Sequence, residues 1–526
     1  MITCRILLSL SIIAVPLAAA TCDSLTALKL ADTTIRSAKT VAAGAFTLPG
    51  DPPPPPSLLA SFRKLPAFCR VQGVIQPSSD SHIEFEVWLP SSGWNNKVQG
   101  VGNGGFAGSI GYPGLAESVM SGYASSSTDT GHKGTGTDGE WALGHPEKIV
   151  DYGYRAIHET AEKSKAIVRA FYGEMPKHSY FSSCSNGGRQ ALMEAQRYPA
   201  DYDGIIAGAP ANFLTHIGAS FIWDAQATET DPASYIPAEK YPAIEAAAVA
   251  ACDARDGLKD GLIDDPTQCR FKPATLLCKG PESPACLTQP QIAAMEKIYA
   301  GPRNSQGQQV YPGFLPGGET GRNGWEGWIS GQAPGKSVQY AFATQAGANL
   351  LFQNAAWDFR AFNLDRDVKI ADDSLGSRLN AVDPNLKALK DRGAKLILYH
   401  GWSDPALAPL GTVNYYQSVV AKMGQKETAG FVRLYMVPGM QHCAGGPGPD
   451  SFGAAPGGPQ ADSQHSLSLA LESWVEKGTA PGEIIAGKYA GQRIVRTRPL
   501  CPYPQVARYS GSGSPDDASN FTCVAP

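Results

Sequence analysis

No C-x-x-C pair occurs in this chain, so its eleven cysteines do not read as a metal–thiolate cluster. No long basic run occurs either. Charged residues make up 17% of the chain and the formal net charge is −4, which argues against nucleic acid or an anionic membrane as a partner. Beyond the first twenty residues, no stretch approaches the ~20 apolar residues that a membrane span needs. No internal repeat is visible. What remains is a 526-residue chain with 43% apolar residues. That is enough for a sizeable core, and for one large domain carrying an insertion or for several average ones.

Residues 1–20 read as a secretory signal. Arg5 supplies the positive start, Ile6 to Leu17 is a short apolar stretch, and Ala18-Ala19-Ala20 suits cleavage after Ala20. The protein is therefore expected to be secreted or periplasmic. Cys4 leaves with the signal, and Cys22, Cys69, Cys184, Cys252, Cys269, Cys278, Cys286, Cys443, Cys501 and Cys523 remain. An even count in an exported chain implies disulfides. Cys252/Cys269, Cys278/Cys286 and Cys501/Cys523 are local candidates. A Cys22–Cys69 bridge could staple an N-terminal arm that ends in the stiff Pro52–Pro56 run.

The chain turns around Tyr180-Phe181-Ser182-Ser183-Cys184-Ser185-Asn186-Gly187-Gly188-Arg189. A β-prone run stops at a serine, and two glycines open a helix-forming run. That is the context of a nucleophile elbow, although Ser183 stands where the common motif has glycine. The tight turn requires small residues two before and two after the nucleophile, here Ser183 and Gly187. Upstream, Lys97 to Val101 runs into Gly102-Asn103-Gly104-Gly105-Phe106. A loop of this kind can lend a backbone N–H to an oxyanion hole; no Lys-Ser/Thr follows to make it a phosphate loop.

Other strands are expected at Ile83–Leu89 (alternating, half-buried), Tyr123–Thr128, Gly204–Gly208, Lys395–Tyr399 and Phe431–Val437. Helices are expected at 151–171, 413–423 and 467–477. This alternation points to an α/β fold with a mostly parallel sheet. The texture changes between Asn212 and Arg392, with clustered cysteines and many Gly and Pro, which reads as an inserted domain. Residues 21–211 and 393–526 would then form the α/β domain. The tail from Arg493 to Pro526 reads as loop.

A serine nucleophile needs a base, and the base needs an acid to orient it. His400-Gly401-Trp402-Ser403-Asp404-Pro405 follows one strand, and Met440-Gln441-His442-Cys443 follows the next. The chain order Ser185, Asp404, His442 is the one an α/β-hydrolase uses. Each has a plain alternative: a chance small-x-Ser-x-Gly, a turn-starting Asp, a surface histidine. His400 is a rival base and is read as a pocket wall; Ser125, Ser126 and Ser127 are rival nucleophiles without a glycine elbow. Cys184 precedes the serine and Cys443 follows the histidine. If Ser185 and His442 hydrogen-bond, those two sulfurs are brought within disulfide reach. Cys184 as a thiolate nucleophile is the weaker reading in an oxidising compartment.

Cys-Ser-x-Gly-Gly, a later Asp, and His-Cys resemble the tannase/feruloyl esterase family over nearly the whole mature chain. The resemblance implies an α/β-hydrolase fold with a large inserted lid. It implies a serine carboxylic-ester hydrolase with Ser185 as nucleophile, His442 as base and Asp404 as orienting acid. Asn186 and either Gly104 or Gly105 would form the oxyanion hole. Substrates would be feruloyl or other hydroxycinnamoyl esters of plant cell walls, or galloyl esters of polyphenols. Some relatives cleave terephthalate half-esters. Outside the resemblance, a carbohydrate-binding protein on an esterase-like scaffold and a peptidase are the competing readings. Lid aromatics such as Trp325, Trp328 and Phe352 would cover a substrate ring. Asp253, Asp256 and Asp260 crowd carboxylates among glycines inside Cys252–Cys269, which suits Ca²⁺ better than a helix face. In the family this stretch resembles a structural calcium loop of the lid, with the carbonyls of Leu258 and Leu262 completing it.

Overall fold

The computed structural model describes residues 20–49, 56–321, 323–454 and 462–526. The expected leader lies outside these residues apart from Ala20, and the polyproline run apart from Pro56. Strands β1 (Thr33–Val41), β2 (Phe68–Ile75), β3 (Ile83–Pro90), β4 (Lys97–Val101), β5 (Ala124–Thr128), β6 (His178–Cys184), β7 (Gly204–Gly208), β8 (Lys395–Gly401) and β9 (Val432–Val437) form one sheet. Its order is β1-β2-β3-β5-β4-β6-β7-β8-β9. β1, β2, β3 and β5 pair antiparallel, and the run from β5 through β9 is parallel.

The parallel strands are buried on both faces, which is why they read as continuous apolar runs. Phe181, Ile205, Leu396 and Leu398 face one core with Ile157, Ala161, Leu192 and Val419 from the helices Ala156–Tyr172, Asn186–Arg197 and Pro409–Met423. Their neighbours Tyr180, Ile206, Ile397 and Tyr399 face the other, against Leu471 and Trp474 of the helix Leu467–Lys477. Full burial of each such side chain is worth about 1.5–3 kcal/mol, so the period-2 split across the sheet secures both layers.

β3 departs from the expected half-burial. Its Glu86 is buried because Arg70, Gln72, Trp88 and Tyr112 all donate to its carboxylate, at 2.8, 3.0, 2.8 and 3.0 Å. A charge so fully solvated by protein donors can sit inside. The expected helix over 151–171 begins as a π-turn at Asp151–Arg155 and continues as Ala156–Tyr172.

Between β7 and β8, which are adjacent in the sheet, the described residues form helices and no strand. Their own core gathers Ile222, Ile244, Met295, Phe314 and Trp325. Near the end of this segment Ala381, Leu386 and Leu389 pack with Leu396 and Leu398 beside the sheet. The tail is not the loop expected of it: β10 (Ile484–Ala490) pairs with β11 (Arg493–Leu500), and β12 (Val506–Tyr509) with β13 (Phe521–Val524). The arginines of β11 hide the strand from a reading by hydrophobic alternation. Two of them, Arg496 and Arg498, pair with Asp260 of the inserted segment.

Candidate active site

β6 ends at Cys184, and the helix Asn186–Arg197 begins one residue after Ser185. Ser185 has φ 67° and ψ −127°, a region that L-residues rarely occupy and that costs of order 1–3 kcal/mol. Two close approaches explain the sequence around it. A Cβ on Gly187 would sit 1.9 Å from the Ser183 hydroxyl, and one on Gly188 would sit 2.3 Å from the Gly208 carbonyl oxygen of β7. The helix can therefore lie tight on the sheet only with glycine at both positions. Ser183 is tolerated in place of glycine because Gly187 leaves it room.

The loops after β8 and β9 bring Asp404 and His442 to this turn. The Ser185 hydroxyl lies 2.9 Å from His442 Nε2, and His442 Nδ1 lies 2.7 Å from Asp404 Oδ2. A carboxylate can only accept, so Nδ1 carries the proton and Nε2 is left to accept from the serine. Asp404 is buried. Burial alone would raise its pKa, but His442 and His400 outweigh that and hold the carboxyl well below its ordinary range. Its second oxygen accepts from the backbone N–H of Ala406 and Leu407 at 2.7 and 2.9 Å.

His400 is not the pocket wall it was read as. Its Nε2 is 3.1 Å from both Asp404 Oδ2 and the Leu407 carbonyl oxygen, and its Nδ1 is 2.7 Å from the Thr412 hydroxyl. It is a buried second donor to the same carboxylate. No signal within the sequence links it to Asp404 apart from their spacing of four. Ser125, Ser126 and Ser127 are buried in β5, away from this turn.

Asn186 opens the helix, and Gly105 lies beside it in the same cleft; Gly104 does not line that cleft. Gly105 has φ 55°, and a Cβ there would meet the Gly136 carbonyl oxygen at 2.1 Å. The two residues are linked by Tyr152, whose hydroxyl is 3.1 Å from the Gly105 carbonyl oxygen and 3.0 Å from Asn186 Oδ1. Arg189, fully buried, also donates to Asn186 Oδ1 at 2.8 Å, and to the carbonyls of Gly153 and Tyr152 at 2.8 and 3.0 Å. Neither Tyr152 nor Arg189 stands out in the sequence.

The inserted segment holds the other two loops. Gln441 donates to the carbonyls of Gly318 and Thr320 at 2.8 and 2.7 Å. Asn323 donates to those of His442 and Ala444 at 3.1 and 2.6 Å. Trp328 sets its edge against the His442 ring, with centroids 4.8 Å apart. Cys184 and Cys443 are bonded, their Cα atoms 6.0 Å apart, which removes the thiolate reading. Cys22–Cys69, Cys252–Cys269, Cys278–Cys286 and Cys501–Cys523 are bonded as well.

A sequence model described as tannase and feruloyl esterase matches residues 69–524. The chain belongs to the tannase and feruloyl esterase family. It is a carboxylic ester hydrolase with an α/β-hydrolase fold. It is 45% identical to an uncharacterized esterase of Xanthomonas campestris, over 96% of this chain and 92% of that one. It is 35% identical to a mono(2-hydroxyethyl) terephthalate hydrolase of Piscinibacter sakaiensis, over 89% and 86%. The crystal structure of feruloyl esterase B from Aspergillus oryzae superposes with a TM-score of 0.86 at 28% identity, covering 96% of this chain and 99% of that one.

Within the esterase, a cleft of about 920 Å³, its mouth included, opens from Ser185, Asn186 and His442. Of the three aromatics expected over a ring, Trp328 lines it. Trp325 is buried in the inserted core against Tyr241 and Tyr299, and Phe352 stacks on Trp357. Asp253, Asp256 and Asp260 each accept backbone N–H groups of their own loop, from Asp260 and Gly261, from Leu258 and Asp264, and from Leu262. Asp264 joins them, with one buried oxygen lacking any partner. Burial pushes its pKa up to about 7; Arg498 opposes this, and Asp256 and Asp260 add to it. Among the described residues, the one trio whose ligand atoms lie within 4.8 Å of one another is His158, Glu194 and Asp201. No helix among them is long and apolar enough to cross a membrane.

Proposed function

We propose that this esterase cleaves esters of aromatic acids through an acyl-enzyme. The observation that carries the reading is the unbroken line Ser185–His442–Asp404, at 2.9 and 2.7 Å. His442 takes the serine proton as Oγ attacks the ester carbonyl. The backbone N–H groups of Asn186 and Gly105 receive the developing oxyanion. His442 then gives its proton to the leaving alcohol, and water releases the acid by the same steps in reverse roles. Losing one oxyanion donor costs about 3–4 kcal/mol of transition-state stabilisation. The substrate class follows the relatives, whose names include feruloyl esterases and a terephthalate half-ester hydrolase.

Residues 212–392 act in this reading as a lid whose segment 317–328 also braces the histidine loop. Ca²⁺ would be held by the side chains of Asp253, Asp256 and Asp260 with the carbonyls of Leu258 and Leu262. The donor set fits in its hard oxygens, its mutually repelling carboxylates and the unpartnered Asp264 oxygen nearby, while Asp260 would share its carboxylate between the ion and Arg496 and Arg498. Its role is to brace the lid. Five disulfides support export. The test is turnover of p-nitrophenyl acetate and methyl ferulate by the wild type and by Ser185→Ala. Loss of at least ~10³-fold in the variant is expected; equal rates would remove Ser185 from the reaction.

A further inference from the structure

The cleft that starts at Ser185 contains no Asp, Glu, Lys or Arg among the described residues that line it. Its lining includes Ile217, Phe342, Leu350, Phe362, Leu375 and Leu379. Its polar side chains beyond Ser185 and His442 are already committed. The Tyr152 hydroxyl serves Gly105 and Asn186. The Asn186 amide oxygen accepts a hydrogen bond from Arg189, and its nitrogen donates to the Asn103 carbonyl. The Thr215 hydroxyl donates to Asp372 at 2.5 Å. The Trp328 indole N–H lies 3.5 Å from Asn323 Oδ1, so among the described residues no polar side chain lining the cleft beyond Ser185 and His442 lacks a partner.

A hydroxyl or carboxylate carried into such a space gives up its water partners and finds none in return. The acyl half of an ester stays bonded to Ser185 while the alcohol must depart, so the apolar cleft that opens from Ser185 suits the half that stays. Ile217, Leu350 and Leu379 of its lining are all buried. We propose that this esterase selects acyl groups that are apolar to their tip, such as unsubstituted cinnamoyl, and discriminates against galloyl groups and against terephthalate half-esters, whose far end is charged. The proposal rests on the serine-esterase reading and narrows it.

The test is a panel of methyl esters with the wild-type full chain: cinnamate, ferulate, gallate and monomethyl terephthalate, with kcat/KM for each. A second panel keeps the acid as acetate and varies the alcohol. Since a hydroxyl misplaced in an apolar pocket is worth up to ~100-fold, methyl cinnamate is expected to exceed methyl gallate by about that factor, and the half-ester by more, with ferulate between. Phe342→Ser is expected to narrow the cinnamate-to-gallate ratio, a readout that does not depend on the fraction of enzyme folded. Gallate or the half-ester within about threefold of cinnamate would overturn the proposal. So would an apolar preference seen only in the alcohol panel. Each of those outcomes leaves Ser185-dependent turnover of p-nitrophenyl acetate intact, whereas its absence would sink the serine-esterase reading itself.

Discussion

Replacing Cys184 and Cys443 together by alanine separates two roles of one bridge. The bond closes a loop with a sequence separation of 259. Chain entropy for a loop of that length gives about 5–6 kcal/mol at 25 °C, and native disulfides usually return 2–5. Unfolding entropy near 2.1 cal/mol/K per residue gives about 1.1 kcal/mol/K for 526 residues. The stability term alone thus lowers Tm by only about 2–5 °C, and the variant should remain folded at 25 °C. The second role is placement. Without the bridge the histidine loop is held by Asn323, Gln441 and Trp328, and a drift of ~1 Å between Ser185 and His442 costs about 100-fold in rate. The expected result is a modest fall in Tm by calorimetry together with a fall of ~30–100-fold in kcat for p-nitrophenyl acetate. A folded variant with kcat within threefold of the wild type would refute the idea that the bridge sets the serine–histidine distance.

Tyr152→Phe removes the hydroxyl shared by Gly105 and Asn186; kcat should fall about tenfold with KM nearly unchanged, and an unchanged kcat would mean the oxyanion donors need no such tie. Glu194 is fully buried, and burial together with the neighbouring Asp201 carboxylate raises its pKa. The folded state then binds a proton that the unfolded state has already released, so stability falls as pH rises above the ordinary glutamate value. Glu194→Gln should therefore gain Tm on the wild type as pH goes from about 5 to about 8; a gap that narrows over that range would contradict the assignment. Chelation with EDTA should lower Tm and Ca²⁺ should restore it, with RT ln(1 + [L]/Kd) setting the size at about 3 kcal/mol for a hundredfold excess over Kd; a Tm indifferent to both would remove the calcium loop.

The triad was legible because its chemistry forces short patterns: a small residue on each side of the serine, and an acid and a base each just past a strand. The doubled Cys–Ser and His–Cys neighbours added a long-range constraint that most chains lack. What stayed hidden depends on partners that only the fold brings into place. Glu86 looks like a solvent-facing residue until Arg70 and Tyr112 are in place around it. His400 reads in sequence as a pocket wall because its link to Asp404, only four residues on, depends on the loop between them returning on itself. β11 carries arginines where a strand pattern wants apolar residues, and its partner Asp260 lies more than two hundred positions earlier. Which of Trp325, Trp328 and Phe352 reaches the cleft depends on how the inserted helices pack, and three tryptophan or phenylalanine side chains in similar local contexts carry no mark of it.

The uneven bracing of the three catalytic loops follows from sheet topology. β6 lies between β4 and β7, so the elbow it leads into is flanked by strands on both sides. The Ser185 backbone is pinned there, its N–H donating to the Gly208 carbonyl and its carbonyl oxygen accepting from the N–H groups of Ala211 and Arg189. β8 is also an inner strand, and Asp404 is held by its own loop and by His400, with Gln339 of the inserted segment donating to the Pro405 carbonyl at 2.8 Å. β9 is the last strand of the sheet and has a neighbour on one side. The loop after it carries the base, which must be held closest of all to the serine. That loop is the one tied by a disulfide, by Asn323 and Gln441, and by the edge of Trp328. Cys184 of the elbow and Gly318, Thr320, Asn323 and Trp328 of the inserted segment make those ties, so the inserted segment braces the histidine loop mechanically. Asn323→Ala should then loosen the histidine and lower kcat by roughly tenfold, although its side chain reaches only the backbone of His442 and Ala444 and the Trp328 indole N–H. An Asn323→Ala enzyme with unaltered kcat would show that the edge strand and the disulfide suffice to hold His442.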